Sequence, residues 1–480
     1  MPRRARYNLK HVTKPVDPAL TDRTERDRAE VVAPSLAIPQ LFVVLRCDEL
    51  QAPAGRHALS HVDEVWLGRG DARGAERHVV DGVRRLTLTF NDRRMSRKHA
   101  LIRRSAAGWE FSDQGSSNGS RLDGQPCKQA ALRDGAWLEL GQTFVRFRAA
   151  LPTPAQAPGD LLSDSLRSRP SALTTLLPEL ELGFKQVARV ARSQVPVLVL
   201  GETGTGKELV ARAIHTLSAR PGAFVALNCG ALPASLLEAQ LFGHVRGAFS
   251  GATRDETGYV RAADRGRLFL DEVGDLPGPS QTALLRVLQE SEVVPVGATR
   301  PISVDLRVVA ATHAPLLELA ERGGFRNDLF ARLSGFTFHV PALRDRLEDF
   351  GLLLAALLPE LEQAAGGSVT LQPESVRLLL GHAWPRNVRE LRQALAAAVV
   401  LSTSGSVEPA HLPSTITARP PAATGGEVAP EVEPDLEQEL LRRFAEHKGN
   451  VTQVAQAMGK ARVQVQRWMK RFGIDPKKFQ

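Results

Sequence analysis

Val195–Glu208 reads VPVLVLGETGTGKE, an apolar run that passes directly into a Gly-rich loop and then into a helical period. A short apolar run bounded by glycine fits a buried strand. Gly201, Gly204 and Gly206 let the loop wrap closely round phosphate groups with its backbone N–H groups pointing inward. The helix starting behind them adds a positive dipole end, and Lys207 has the reach for the β- and γ-phosphates. The candidate phosphate-binding set is Gly201, Glu202, Thr203, Gly204, Thr205, Gly206, Lys207 and Glu208. Glu208 departs from the generic pattern, in which Ser or Thr follows the lysine and offers a hydroxyl to magnesium. Metal binding must therefore lean on other groups. Further along, RLFLDE (267–272) is an apolar strand ending in Asp271 and Glu272. Paired carboxylates buried at a strand end are costly without a cation or proton. Asp271 is suited to hold magnesium through its water shell, and Glu272 to polarise an attacking water. The alternative is a merely solvated acid pair.

Outward from this centre, strands alternate with helical periods from about Ala172, as in a parallel α/β sheet. Residues 343–413 are mainly helical. Residues 41–149 change to short alternating runs, among them RLTLTF with Leu86, Leu88 and Phe90 on one face, which implies a β-sandwich. Pro- and Ser-rich residues 150–172 and Pro-, Gly- and Glu-rich residues 414–434 read as linkers. Residues 1–40, without a sustained apolar period, read as a disordered arm, and 435–480 as a small helical unit. The 480 residues thus divide into about three domains. Cys47, Cys127 and Cys229 lie far apart with no CxxC spacing, which excludes a disulfide framework and a cysteine-rich zinc site and fits a reducing compartment. Cys229 reads as a small buried hydrophobe. The opening MPRRARYNLKHVTKP has no apolar core for a secretory signal, and the longest apolar runs are too short to cross a bilayer. A soluble cytoplasmic protein is expected. Its net charge of +9, from 62 Lys and Arg against 53 Asp and Glu, is concentrated at the ends. Residues 460–480 carry seven basic residues and one acid, and the arm carries eight basic residues and five acids.

Six further stretches carry a resemblance: GETGTGKELVARAIH (201–215), FVALNC (224–229), LFGHVRGAFSGA (241–252), AATH (310–313), FRNDLFARL (325–333) and WPRNVREL (384–391). In this order they resemble the AAA+ domain of bacterial sigma-54-dependent transcriptional activators over roughly 173–413. The resemblance implies an ATPase using ATP and magnesium and assembling from dimers to a hexameric ring. It places arginine fingers at Arg326 and Arg332, sensor I at Thr312 and His313, and the sensor II arginine at Arg389. It makes Asn228 the partner of the catalytic glutamate, and Gly247, Ala248, Phe249, Ser250, Gly251 and Ala252 the loop that contacts sigma-54. An arginine supplied to a phosphoryl-transfer site is worth on the order of 10³–10⁵ in rate. Solvated helix charges remain the alternative for Arg326 and Arg332, and a pairing within the lid for Arg389. The departures are Ser250 for the usual Thr, Gln240 and Val245 for Glu, and Arg386 for a Gly, the last expected to perturb the turn into its helix.

LGRG (67–70), MSRKHALI (95–102) and DQGSSNGSRLDG (113–124) resemble a forkhead-associated (FHA) domain, a phosphothreonine-binding sandwich. Arg69, Arg97 and Ser96 suit a dianionic phosphate, Asn118 suits the peptide backbone, and His99 reads as a brace. The partner implied is a phosphothreonine protein or a Ser/Thr kinase, with Thr13, Thr21 and Thr24 of the arm as internal candidates; a sandwich that has lost its ligand is the alternative. Residues 435–480 show three helical periods, and GNVTQVAQAMG (449–459) resembles a Fis-type helix-turn-helix. Its DNA-contact candidates are Arg462, Gln464, Gln466, Arg467 and Lys470, because Arg reads guanine and Gln adenine in the major groove. The fold class expected is an all-β FHA sandwich, an α/β P-loop ATPase with a helical lid, and an all-α helix-turn-helix. The function expected is enhancer binding and ATP-driven remodelling of the sigma-54 RNA polymerase closed complex, gated by phosphothreonine. The alternative is an FHA-gated DNA-binding regulator that does not act through sigma-54.

Overall fold

The computed structural model describes residues 35–417 and 434–458, with residues 465, 468, 469, 474 and 479. The DNA-contact candidates, most of the expected arm and the 418–433 stretch lie outside the described residues. Two compact units are present, divided at Thr417 and Ala418.

Thirteen strands open the first unit: β1 (Ser35–Arg46), β2 (Gly55–Ala58), β3 (Glu64–Arg69), β4 (Gly74–Val80), β5 (Val83–Phe90), β6 (Ala100–Ser105), β7 (Gly108–Asp113), β8 (Ser120–Leu122), β9 (Gln125–Pro126), β10 (Gln129–Leu132), β11 (Trp137–Leu140), β12 (Thr143–Pro154) and β13 (Asp160–Leu162). They form a seven-stranded sheet, β13-β2-β1-β12-β11-β8-β9, and a six-stranded sheet, β10-β7-β6-β3-β5-β4. Leu41, Val43, Leu86, Leu88, Phe111, Leu138 and Val145 fill the space between the sheets. Two boundaries differ from the sequence reading. Residues 35–40, expected in the arm, form the first half of β1 and pair with the end of β12. Residues 150–172, expected as a linker, complete β12, add β13 to the sheet and continue into two short 3-10 turns that bury Leu166 and Leu173. Proline is tolerated there because these are strand ends and edges, where no ladder donor is needed.

The next part of this unit is a five-stranded parallel sheet, β14 (Val197–Leu200), β15 (Phe224–Asn228), β16 (Arg267–Asp271), β19 (Arg307–Thr312) and β20 (Phe336–His339), in the order β15-β16-β19-β14-β20. Between β16 and β19 lie the small pair β17 (Glu292–Val293) and β18 (Ile302–Ser303). Crossover helices cover the sheet and bury its Val, Leu and Ala side chains on both faces, as expected for parallel strands. The lid comprises helices Phe350–Ala365, Pro373–Gly381 and Asn387–Leu401, with a short parallel pair, β21 (Thr370–Leu371) and β22 (Ser406–Val407).

The sandwich is docked on the lid, and the two share one core. Strand β1 is apolar on both sides: Leu41 and Val43 enter the sandwich, whereas Phe42 and Val44 pack among Leu347, Phe350, Leu354 and Trp384 of the lid. On β12, Val145 and Phe147 face inward and Phe144, Arg146 and Arg148 face the lid. Glu348, fully buried, receives Arg148 at 2.6 Å and Arg146 at 3.4 Å. Glu139 of β11 pairs with Arg377 at 2.9 Å. The Cys47 carbonyl accepts from the Leu371 N–H at 3.0 Å. Buried Arg56 of β2 donates to the Leu176 carbonyl at 2.7 Å and lies 3.5 Å from Glu181.

The second unit holds helices Pro434–Glu446 and Val451–Ala457, whose Leu440, Phe444, Val454 and Ala455 pack with Val465 and Ile474.

Candidate functional site

The phosphate loop joins the C-terminal end of β14 to helix Lys207–Ser218. Gly201, Gly204 and Gly206 all have positive φ, at 155°, 82° and 101°. Gly204 also has no room for a side chain, since a Cβ there would meet the Arg386 carbonyl at 2.2 Å. Lys207 is 6 % exposed and curls over the loop, donating to the Gly201 carbonyl at 2.9 Å and lying 3.6 Å from Glu272. Thr205 caps the turn by donating to the Glu202 carbonyl at 2.8 Å. Thr203 contributes its carbonyl, which accepts from the Asn387 amide. Glu208 is exposed and pairs with Arg212 one turn along.

Asp271 ends β16, the neighbour of β19, which in turn borders β14, so the sheet order brings the acid pair to the same end as the phosphate loop. Burial and the adjacent Glu272 raise the Asp271 carboxyl above the usual carboxylate range. For Glu272, burial pushes upward but is outweighed by bonds from His313 and the charge of Lys207, so its carboxyl falls below that range. Glu272 has a left-handed backbone, φ 50° and ψ 51°, a conformation that costs a non-glycine residue free energy and recurs at functional sites. Its Oε2 accepts from the His313 N–H at 3.1 Å, contacts His313 Nδ1 at 2.7 Å and accepts from Thr312 Oγ1 at 3.3 Å.

Asn228 differs from its expected role. Its Oδ1 accepts from the Gly230 N–H at 3.0 Å, capping the turn after β15, and the partners of Glu272 come from the end of β19. The backbone explains the change: the left-handed turn at Glu272 is followed directly by the Val273–Asp275 3-10 turn, and the carboxylate meets Thr312 and His313. Cys229 is buried, and burial with the nearby Asp271 charge pushes its thiol up to about 12, so it is inert at neutral pH.

No group of three or more His, Cys, Asp or Glu among the described residues could hold a metal. The Asp271–Glu272 pair, with Asp271 raised by its neighbour's charge, nevertheless fits a cation whose remaining ligands are water and phosphate oxygens.

The lid closes on the loop through named contacts. Arg346, buried, donates to the Thr205 carbonyl at 2.9 Å. Arg344 and Asn387 both bond Glu202, and these bonds hold its carboxyl at about 2. The Arg389 N–H donates to the Gly204 carbonyl at 3.3 Å, so its exposed side chain starts directly beside the loop. Sequence reading missed Arg344, Arg346 and Asn387; their only signal was a cluster of charged and polar residues at the start of lid segments. Arg386 has φ −111°, a conformation open to any residue, and the left-handed positions of this turn are Trp384 and Asn387 instead. Arg326 and Arg332 are exposed, the first paired with Asp328 at 2.7 Å and the second donating to the Leu288 carbonyl at 3.0 Å.

Residues 244–252 form a compact loop. Gly247 N–H donates to the Ala252 carbonyl at 2.8 Å, and Ala252 N–H to the Phe249 carbonyl at 3.0 Å. Gly247 and Gly251 have φ of 82° and 109°. Ala248 packs against Gly297, Phe249 lies 4.9 Å from the His244 ring yet remains 41 % exposed, and Ser250 is exposed at the tip.

On the sandwich, Gly68 packs on the Arg97 carbonyl where a Cβ would stand 1.9 Å away. The Arg69 N–H donates to the Ser96 carbonyl, Ser96 Oγ accepts from the Ser117 N–H at 3.1 Å, and Asn118 Nδ2 donates to the Arg94 carbonyl at 2.7 Å. Arg69, Ser96, Arg97 and Asn118 are thus brought onto three adjoining loops. His99 is fully buried, and its Nδ1 accepts from the Ser96 N–H at 3.0 Å, bracing the loop from beneath.

Residues 175–339 match the sigma-54 interaction domain, 344–429 the AAA+ ATPase lid domain and 65–141 the FHA domain. The transcriptional regulatory protein GlrR of Escherichia coli is 39% identical over 311 residues, 64% of this chain and 69% of that protein. The acetoin catabolism regulatory protein of Cupriavidus necator is 42% identical over 63% of this chain and 47% of its own length. The formate hydrogenlyase transcriptional activator FhlA of Escherichia coli is 46% identical over 61% and 43%. The chain therefore spans just under half the length of these last two relatives. Among solved structures, NtrX from Brucella abortus in complex with ATP is 31% identical, with a TM-score of 0.46 over 65% of this chain and 71% of that one. No described helix is long and apolar enough to cross a membrane. On its identity with GlrR and its sigma-54 interaction domain, the chain belongs to the sigma-54 interaction family of transcriptional regulators, and it carries an FHA domain within that frame.

Proposed function

We propose that this protein hydrolyses ATP to act on sigma-54 RNA polymerase, and that a phosphothreonine ligand of the FHA domain controls it. The observation that carries the reading is the convergence of Lys207, Asp271, Glu272 and Thr312 at one end of the parallel sheet. Lys207 would bind the phosphates, Glu272 would orient and polarise the attacking water, and Thr312 would sense the γ-phosphate position. Magnesium, when bound, neutralises phosphate charge, and Asp271 would hold it through its water shell. Exposed Arg326 and Arg332 suit supply to a neighbouring subunit in an oligomer up to a hexamer. Arg389, beside Gly204, suits the same nucleotide as a sensor. Residues 435–480 would bind enhancer DNA through Arg462, Gln464, Gln466, Arg467 and Lys470, and tethering would raise the local concentration of subunits.

Loop 247–252 would press on sigma-54, with Phe249 as its exposed apolar contact. ATP-dependent retention of sigma-54, trapped with a transition-state analogue, is expected for the native chain and lost in Phe249→Ala at unchanged ATPase rate. Retention by neither protein, with ATPase intact, would favour the regulator that does not use sigma-54.

The shared sandwich–lid core supports phosphothreonine control by contact. Asp92, on the phosphopeptide loop, accepts from the Gln142 N–H at 2.7 Å and from Thr143 Oγ1. Gln142 in turn accepts from Cys47 N–H, and Cys47 from Leu371 of the lid. Phosphothreonine peptide is expected to change the ATPase rate of the native chain and leave that of Arg69→Ala unmoved; equal rates with and without peptide in both would refute the control.

A further inference from the structure

The loop between β5 and β6, Asn91–Lys98, holds four basic residues and one acid. The acid, Asp92, is fully buried and spends its carboxylate on backbone and hydroxyl donors: Arg94 N–H, Gln142 N–H and Thr143 Oγ1. It fixes the loop without neutralising the loop's outer face. Arg93, Arg94, Arg97 and Lys98 are exposed, as is Arg69 on the adjoining loop. Among the described residues none of these five cations has an ion-pair partner. Most of the arginines elsewhere on the sandwich are used differently: Arg46 pairs with Asp48, Arg77 with Asp160, Arg84 with Asp63, and Arg85 and Arg103 share Glu64. Asp71, next to Arg69, is the exposed acid on the same rim.

A phosphothreonine carries a charge of about −1.5 to −2, which Arg69 and Arg97 match. Arg93, Arg94 and Lys98 are then in excess around a loop that is already pinned. We infer that the partner is a phosphothreonine segment flanked by further anionic groups, Asp, Glu or a second phosphorylated residue, which these three cations receive. This rests on the phosphothreonine reading of the site and names the class of ligand. A nucleic acid fits less well, because these five cations adjoin Ser96, Ser117 and Asn118, whose hydroxyl and amide groups suit a phosphate monoester beside a peptide backbone.

The experiment uses the full chain and fluorescence anisotropy. The probes are a phosphothreonine peptide with alanine flanks, the same peptide with Asp and Glu flanks, one with a second phosphothreonine, and a short DNA duplex as competitor. The acidic and doubly phosphorylated peptides are expected to bind roughly tenfold more tightly than the alanine-flanked one at low salt, an advantage that shrinks as salt rises. Comparing the two anionic probes distinguishes carboxylate from phosphate as the source of charge. Arg93→Ala/Arg94→Ala is expected to remove the advantage and still bind the alanine-flanked peptide, since the Asn118 contact is to the Arg94 backbone. Equal affinities in the native chain, a preference that survives in the double variant, or displacement of peptide by DNA at lower concentration than by acidic phosphopeptide would each overturn the inference. Failure of every phosphopeptide to bind the native chain would remove the phosphothreonine reading as well, which the alanine-flanked probe reports by itself.

Discussion

Glu272→Gln is expected to lower ATP turnover by on the order of 10²–10⁴-fold, the contribution of a positioned general base, while nucleotide binding persists. The substitution keeps the shape of the side chain and removes the charge that draws a proton from water. Binding should survive because Lys207 is seated on the Gly201 and Glu202 carbonyls rather than depending on Glu272, which lies 3.6 Å away. Glu272 also holds a left-handed backbone at the end of β16. That conformation aims its carboxylate at Thr312 and His313, so the residue is oriented from two strands at once. The measurement is steady-state ATPase rate beside equilibrium binding of a non-hydrolysable analogue. Turnover close to native would reduce the Asp271–Glu272 pair to a solvated strand end. Loss of binding together with turnover would instead mean that Glu272 supports the loop through Lys207.

Glu348→Ala is the second large effect, and it acts far from the phosphate loop. Glu348 is fully buried between Arg146 and Arg148 of the sandwich. Its removal leaves Arg146 without a carboxylate and Arg148 with only Asp134 at 3.1 Å, two largely buried guanidinium groups side by side on one face of β12, which costs roughly 3–5 kcal/mol where a buried pair is broken from one side. Undocking should precede unfolding: the sandwich is expected to separate from the lid, exposing Phe42, Val44 and Phe144. The check is hydrogen exchange of the full chain, with loss of protection on β1, β12 and helix Phe350–Ala365. The Arg148→Ala/Glu348→Ala double variant should lose less than the sum of the two singles, because one of the two charges left behind is then gone. Unchanged protection in Glu348→Ala would return the sandwich to the tethered arrangement that the Pro- and Ser-rich 150–172 stretch suggested. Gly351 supplies an independent probe of the same seam, since a Cβ there would stand 1.9 Å from the Val44 carbonyl.

Much of the proposed nucleotide site was legible because its requirements are local. A loop that wraps phosphate needs positive φ at fixed positions, so Gly201, Gly204 and Gly206 announce it. A buried strand that ends in acids is equally plain in RLFLDE. The partner of Glu272 was less legible: Asn228 ends the neighbouring strand, but its carbonyl oxygen is taken by Gly230, and the bond goes to the end of β19. Which of two neighbouring strand ends meets a side chain depends on a backbone angle, and no residue pattern encodes it.

The seam between sandwich and lid has one trace in the sequence. The stretch Leu41–Leu45 is apolar without alternation, whereas β5 alternates as a strand with one wet face should. Such a run says that both faces are covered but not by what. By itself the sequence determined the Gly-rich loop after β14 and the acid pair that ends β16, because each is written in residues close along the chain. The tertiary structure alone decided that the sandwich and lid share a core, that Glu348 receives two arginines from a distant strand, and that Arg346 reaches the phosphate loop from the same turn. These contacts join residues far apart in the chain, and burial of charge and apolar surface selects them only once the strands and helices are in place.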